Sequence, residues 1–323
     1  MPSAAAPSPS AAPPSNHKPP SARSTPSQRT PRARPPSAQS SARPTGGGAT
    51  PGAGAPSARS KADPAAAAAA AAATAARGGK NGLLAALGES CALLTGVEED
   101  WEKRTSAIKS IPPLLTHAAQ LGCLDALLDG LHKTLSVQAA DLRSSVVRVA
   151  CSTLSAVAAE HGRAIAPLAA GVLPTLLKNL YVSVKAISVA SHDTALSLVK
   201  AAPTPATLSV LIAFASDSHH QTRRGCADYV AALLTAASGS SGISGAPAAS
   251  ERQVSAILAA LKTLTADADA KVREAAARCF WVVHATWPSP AGAMRAKLDP
   301  AQQKLLKRLE SSASAAPPTR GKK

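Results

Sequence analysis

Gly82-Leu83-Leu84-Ala85-Ala86-Leu87-Gly88-Glu89-Ser90-Cys91-Ala92-Leu93-Leu94 marks the point where the chain changes character. Leu83, Leu84, Leu87, Cys91 and Leu94 fall at i, i+1, i+4, i+8 and i+11, which gathers them on one face of a helix. Later segments repeat the pattern, broken by Gly, Pro or short polar turns. None shows sustained period-2 alternation. The spacing predicts an all-helical region over 82–310, with about eleven or twelve helices.

These helices come in pairs. The second member of each opens on a polar turn, then a basic or small residue, then alanines. The five openings are Trp101-Glu102-Lys103-Arg104, Ser144-Ser145-Val146-Val147-Arg148, Lys185-Ala186-Ile187-Ser188, Gln221-Thr222-Arg223-Arg224 and Asp269-Ala270-Lys271-Val272-Arg273. Anchored on Arg104, Arg148, Ser188, Arg224 and Arg273, the steps are 44, 40, 36 and 49 residues. That is the period of HEAT or armadillo repeats. A Gly/Ser/Ala/Pro-rich insertion from Ser238 to Ser250 accounts for the long last step. One such unit cannot bury its apolar face alone. The expected fold is therefore all-α: an α-solenoid of about five to six HEAT repeats sharing one extended core.

Composition fits this frame and excludes others. Lys+Arg number 35 against 19 Asp+Glu in 323 residues, a formal charge of +16. Residues 1–80 hold ten basic residues and only Asp63, and 311–323 add Arg320, Lys322 and Lys323. The folded part is left mildly basic, at +4. Residues 1–80, rich in Pro, Ser, Ala and Arg, cannot bury enough surface to offset chain entropy and are expected to be a disordered basic tail. Ala65 to Ala73 has helix-forming residues but no apolar face of any size to dock. A short basic tail is expected over 311–323. Three readings stay open for the long tail: a transit peptide, a spacer, or an arm that binds acidic polymers weakly. Ser8-Pro9, Thr25-Pro26, Thr30-Pro31 and Thr50-Pro51 are candidate phosphorylation sites that would subtract charge from such an arm. Seven aromatics suit neither a β-sandwich core nor a base-stacking sheet. No run of eighteen apolar residues reads as a bilayer span. Cys91, Cys123, Cys151, Cys226 and Cys279 are far apart and never in a C-x-x-C pair, as expected of buried reduced thiols in a cytosolic protein.

Four blocks carry a resemblance. They are Asp100-Trp101-Glu102-Lys103-Arg104; Asp141-Leu142-Arg143-Ser144-Ser145-Val146-Val147-Arg148 with Ala150-Cys151; Arg223-Arg224-Gly225-Cys226; and Asp267-Ala268-Asp269-Ala270-Lys271-Val272-Arg273, continuing through Ala277-Arg278-Cys279-Phe280-Trp281, His284, Trp287-Pro288 and Leu298-Asp299-Pro300. In this order and spacing they closely resemble a TOG domain of the CLASP type (cytoplasmic linker-associated proteins), over about 82–310. The resemblance implies a flat paddle of about six HEAT units, the sixth short. It also implies binding of αβ-tubulin along the edge formed by the turns inside each unit, with suppression of microtubule catastrophe and promotion of rescue. It places the protein in the cytoplasm on the microtubule cytoskeleton. No cofactor, small-molecule substrate or membrane is implied. Family members usually carry several TOG domains. One such domain is read here, so lattice binding is expected to rely on the basic tail or on dimerisation. Lys109-Ser110-Ile111-Pro112 has Lys where a Ser-x-Ile-Pro end-tracking motif needs Ser.

A turn between antiparallel helices sets its side chains at the solenoid rim, where the second helix exposes amide groups that favour anionic partners. Trp101, among Glu98, Glu99, Asp100 and Glu102, is the residue type most expected at an interface centre. Lys103 follows it. Arg143 and Ser144 are placed in the second turn, Lys185 in the third, Gln221 and Arg223 beside His219-His220 in the fourth, and Lys271 and Arg273 in the fifth. For the arginines an internal pair with acids such as Asp267 is the competing reading. A metal or pH role for His219-His220 lacks a third ligand. Phe280, Trp281, Trp287 and His284 read as the packed end of the solenoid. No phosphate loop, G-x-S-x-G or H-E-x-x-H motif points to an enzyme. The alternative function is a HEAT scaffold or nucleic-acid binder using its basic tails. Nucleic acid is disfavoured, because the positive charge lies mostly outside the folded part.

Overall fold

Fourteen α-helices account for most of residues 63–95, 100–240 and 249–314, which the computed structural model describes. They are α1 (Pro64–Arg77), α2 (Gly79–Thr95), α3 (Trp101–Gln120), α4 (Leu124–Leu128), α5 (Leu131–Ala139), α6 (Ser144–His161), α7 (Ala166–Lys178), α8 (Lys185–Ala201), α9 (Pro205–Phe214), α10 (His220–Ser240), α11 (Glu251–Thr265), α12 (Ala270–Thr286), α13 (Pro288–Ala296) and α14 (Pro300–Ser314). Short 3-10 turns at Gly162–Ile165 and Asn179–Tyr181 lead into α7 and out of it.

Local chemistry explains the boundaries. Asp100 and Asp269 accept backbone amides at the starts of α3 and α12. Thr204 and Ser250 close capping boxes on α9 and α11. Proline occupies the first turn of α1, α7, α9 and α13, where a missing N–H costs nothing.

Packing turns these helices into two layers. One layer runs α3, α6, α8, α10, α12, α14, each against the next; the other runs α2, α5, α7, α9, α11, α13. Pairing across the layers gives five units, α2 with α3, α4–α5 with α6, α7 with α8, α9 with α10 and α11 with α12, and a sixth, smaller one in which α13 and α14 both pack on α12 and are joined by Arg295 and Glu310 at 3.7 Å. This is the expected all-α HEAT solenoid, with a short first helix in the sixth unit. A single core of Leu, Val, Ile and Ala side chains threads all six.

A buried polar ladder fixes the stacking. Gln138, Asn179, Thr222 and Gln302 are each buried. They donate respectively to the carbonyls of Leu94 (2.7 Å), Ala139 (2.8 Å), Leu177 (3.4 Å) and Lys262 (3.0 Å). Each acceptor lies in the last turn of the preceding unit's first helix, where carbonyls have no intrahelical partner. At four of the five joints one side chain thus satisfies a carbonyl at the end of the neighbouring helix.

The ordered helices begin earlier than the expected boundary at 82. Pro64–Arg77 is helical, and α1 packs on both α2 and α3. The expectation that Ala65 to Ala73 has nothing to dock with fails because docking here needs closeness rather than bulk. Ala72 is fully buried, and at Gly82 an added Cβ would lie 2.3 Å from the Ala75 carbonyl oxygen. The expected insertion at Ser238 to Ser250 starts later, since α10 runs to Ser240, and 241–248 lie outside the described residues. Residues 1–62 and 315–323, with the tails' charges and Ser/Thr-Pro dipeptides, also lie outside them.

Ser144–Tyr181 corrects the hydropathy reading, being long and apolar enough, by length and composition, to cross a membrane. In the fold it is broken at Gly162 (φ 52°) into α6 and α7, one in each layer. Its Val and Leu side chains are spent on the shared core. At the far end Phe280 is buried, and Trp281 sits edge-on to it at 5.3 Å. The Trp281 indole N–H donates to the Leu306 carbonyl at 3.0 Å, with Trp287 and His284 packed alongside.

Candidate functional site

A short corner joins the two helices at 140–143, 182–184, 215–219 and 266–269 in the second to fifth units, and in the first Asp100 caps the start of α3. The second helices lie side by side in one layer, so their N-termini follow one another along an edge. Direct contacts tie corner to corner. Arg104 Nη1 donates to Asp141 Oδ2 at 2.7 Å and to Gln138 Oε1 at 3.0 Å. Asn179 bonds Ala139, as above. Tyr181 stacks on His219 with ring centroids 3.5 Å apart and planes within 3°. Arg223 reaches Asp267 through Nε to Oδ2 at 2.6 Å and Nη2 to Oδ1 at 2.9 Å. The corners therefore form a continuous ridge.

Most candidate residues present themselves on this ridge. Trp101 is the first residue of α3 and 41% exposed. Lys103 is exposed and pairs with Asp100 at 3.1 Å. Arg143 occupies the N-cap of α6, with its side chain exposed, and Ser144 opens the helix beside it. Lys185 opens α8. Gln221 and Lys271 are second residues of α10 and α12, and all three of these side chains are exposed.

Arg223 and Arg273 stand differently. Besides its clasp on Asp267, Arg223 donates from Nη1 to the carbonyls of Asp217 (2.9 Å) and Ser218 (2.8 Å). Arg273 Nη1 donates to the carbonyls of Asp267 (2.7 Å) and Ala268 (2.8 Å). Each reaches back five and six residues to tie down its own corner. The competing internal reading describes their geometry, because a guanidinium fork satisfies two turn carbonyls at once.

Charge on the ridge is held in place by the same bonds. The backbone N–H of Lys103, then its ammonium, holds the Asp100 carboxyl below the usual range. Arg223 does the same to Asp267. The Val272 amide at the start of α12 does it to Asp269.

The ridge also exposes apolar groups not picked out as site residues. Leu142 is 96% exposed at the second corner, and Tyr181 and Val184 are exposed at the third. The signal was a leucine set between Asp141 and Arg143 in a polar turn, where no core face exists to receive it. Among the described residues no group of three His, Cys, Asp or Glu could hold a metal ion. His219 is engaged by Tyr181 and by Asp217 Oδ1 at 3.0 Å.

A family model described as CLASP N terminal matches residues 88–307. The chain belongs to the CLASP N-terminal family. Among its relatives, CLIP-associating protein 1-B of Xenopus laevis is 29% identical over 222 residues, 66% of this chain. CLIP-associated protein of Arabidopsis thaliana is 28% identical over 213 residues, 65% of this chain. The matched CLASP N-terminal region spans 14% of the length of each. A solved chain from work on microtubule plus end tracking by XMAP215, CLIP-170 and EB1 superposes with a TM-score of 0.54. It is 17% identical, over 67% of this chain and 87% of that one. Another, from work on tubulin recruitment by microtubule polymerases with TOG domain arrays, gives 0.51 at 17% identity, over 70% and 46%. At such identity the likeness concerns the fold.

Proposed function

We propose that this chain binds αβ-tubulin along the corner ridge and through it regulates microtubule dynamics, suppressing catastrophe and promoting rescue. Trp101, Leu142 and Val184 supply apolar contact. Lys103, Arg143, Ser144, Lys185, Gln221 and Lys271 supply charge and hydrogen bonds, while Arg223 and Arg273 hold the corners that present them. The observation that carries this reading is the exposed Trp101 on a ridge that also exposes Leu142, Val184, Arg143, Lys185 and Lys271. An exposed Trp on the same ridge as Arg143, Lys185 and Lys271, which make no ion pair among the described residues, is poor material for a solvated surface and good material for docking on an acidic protein. The names of the CLASP relatives, and the tubulin-related setting of the solved chains with this fold, support the same partner and a role on the microtubule cytoskeleton.

Size exclusion of the full chain with αβ-tubulin, alongside microtubule co-sedimentation, tests it. Trp101→Ala is expected to weaken tubulin binding by about 2 kcal/mol or more, roughly thirtyfold, and to leave the thermal melt nearly unchanged. Wild-type protein that does not co-elute with tubulin, or Trp101→Ala protein that binds as well as wild type, would refute the reading.

A further inference from the structure

Beside the third to fifth corners, α8, α10 and α12 enclose an open cavity of about 390 Å³. That is within the ~300–1,000 Å³ typical of ligand sites. His192, His220, Gln221, Arg224, Asp228 and Lys271 line it. Gly225 lines it too, and a Cβ there would meet the Leu180 side chain at 2.6 Å.

The charges around this cavity are unbalanced. Asp228 is shared by Arg224 at 3.6 Å and Arg278 at 3.3 Å, so one carboxylate faces two guanidinium groups. Lys271 is exposed, and its ammonium has no ion pair among the described residues. The nearby Asp269 carboxylate is engaged by the amides of Lys271 and Val272. The first contact, at 3.6 Å, is loose, and Arg224 is half exposed. Its guanidinium is free to turn toward a second anion. The chain's own termini are basic by sequence and do not complement such a site. Gln221 and Lys271 belong both to this cavity and to the ridge, so whatever docks on the ridge lies at the cavity's mouth.

We propose that the cavity takes an acidic peptide segment, a run of glutamate or aspartate side chains, from the partner docked on the ridge. Arg224 and Lys271 bind its carboxylates, and His192, His220 and Gln221 donate hydrogen bonds to it. This rests on the ridge reading above, because that reading sets the partner beside the opening.

The test uses the full chain, a ten-residue oligoglutamate peptide and carbodiimide coupling, with the coupled lysines mapped by mass spectrometry. Lys18 and Lys61 in the N-terminal segment serve as references for attraction to basic sequence alone. Lys271 is expected to couple more than either. Coupling at Lys271 is expected to fall at least tenfold in Arg224→Glu, with Lys18 and Lys61 unchanged. His220→Glu is the second variant should Arg224→Glu lower the melt. Trp101→Ala, which removes docking on the ridge, is expected to keep the coupling, so the two readings fail separately. Coupling at Lys271 no greater than at Lys18 and Lys61 would overturn the proposal. So would coupling that is indifferent to Arg224→Glu, or protection of Lys271 by inorganic phosphate as effective as by unactivated peptide at matched ionic strength.

Discussion

The Arg223 guanidinium clasps the Asp267 carboxylate with two bonds, at 2.6 and 2.9 Å, bridging the fourth and fifth corners of the solenoid. Asp267 also accepts the Asp269 amide at 2.9 Å, and its backbone carbonyl accepts from Arg273. One residue therefore gathers two corners, and its side chain is only 8% exposed. Removing it leaves a mostly buried guanidinium without its carboxylate, held only by the Asp217 and Ser218 carbonyls. Asp267→Ala is expected to cost about 2 kcal/mol in urea unfolding at neutral pH. A loss below ~0.5 kcal/mol would mean that water replaces the carboxylate.

The same clasp sets an acid limit. Arg223 holds the folded-state Asp267 carboxyl below its usual value, so the pair favours the deprotonated, folded form. That stability is present above the unfolded carboxyl value of about 3.9 and is lost as pH falls through the lower folded value. Asp269 and Asp100 are shifted in the same direction and act with it. Asp267→Asn is expected to show a shallower fall of unfolding free energy below about pH 4 than wild type. Parallel curves would refute the linkage.

Gly82 sits where α2 crosses α1. Alanine in place of glycine inside a helix ordinarily gains about 1 kcal/mol. Here the new Cβ would lie 2.3 Å from a backbone oxygen, that of Ala75, which cannot rotate away. The clash outweighs the propensity gain, and Gly82→Ala is expected to loosen α1. Limited proteolysis checks this through faster cleavage within 64–78; unchanged or slower cleavage would show that α1 shifts without cost.

The repeat was legible because it is written in large side chains. Leu83, Leu87 and Leu94 declare a face, and the polar openings at 101, 144, 185, 221 and 269 declare where second helices begin. α1 was not legible, since periodicity weighs apolar bulk and Ala65 to Ala73 carries almost none. On the ridge, residue type foretold exposure for Trp101, Lys185 and Lys271, whose side chains have no buried partner to seek. For Arg223 and Arg273 it left contact and internal pairing both open: Asp267 stood out as a partner, but the backbone carbonyls of Asp217, Ser218, Asp267 and Ala268 that also hold them are ones any sequence possesses. Leu142 was passed over because a leucine is ordinarily assigned to a core.

Leu142 therefore makes a sharp test of the ridge. At 96% exposure it contributes almost nothing to the fold, so Leu142→Ser is expected to leave the thermal melt unchanged. Under the proposed function it loses roughly 1–2 kcal/mol of tubulin affinity, that of an apolar side chain no longer buried on docking. Unaltered affinity would place the second corner outside the interface.

Thiol chemistry reads the core independently. Cys151, Cys226 and Cys279 are buried, and Cys91 and Cys123 are partly exposed. Burial pushes the Cys279 thiol up to about 12 and raises Cys226 and Cys151 as well. A thiolate-selective reagent at about pH 8 is expected to label Cys123 first in the native state, Cys91 more slowly because partial burial raises its thiol as well, the three buried cysteines hardly at all, and all five in urea. Rapid native labelling of Cys279 would mean that the fifth unit opens readily.

Lys185 and its neighbours speak to association rather than to fold. Its exposed ammonium opens α8 and makes no ion pair among the described residues. Reversing that charge should cost little stability, since nothing packed depends on it. An acidic partner approaching the ridge would meet a repulsive group in place of an attractive one, and the effect reaches farthest where salt does not screen it. Lys185→Glu is expected to slow tubulin association severalfold at about 0.02 M salt and much less at about 0.3 M, with the dissociation rate changing less. Stopped-flow traces at the two salts decide it. An association rate equal to wild type at low salt would mean that the partner does not approach the third corner.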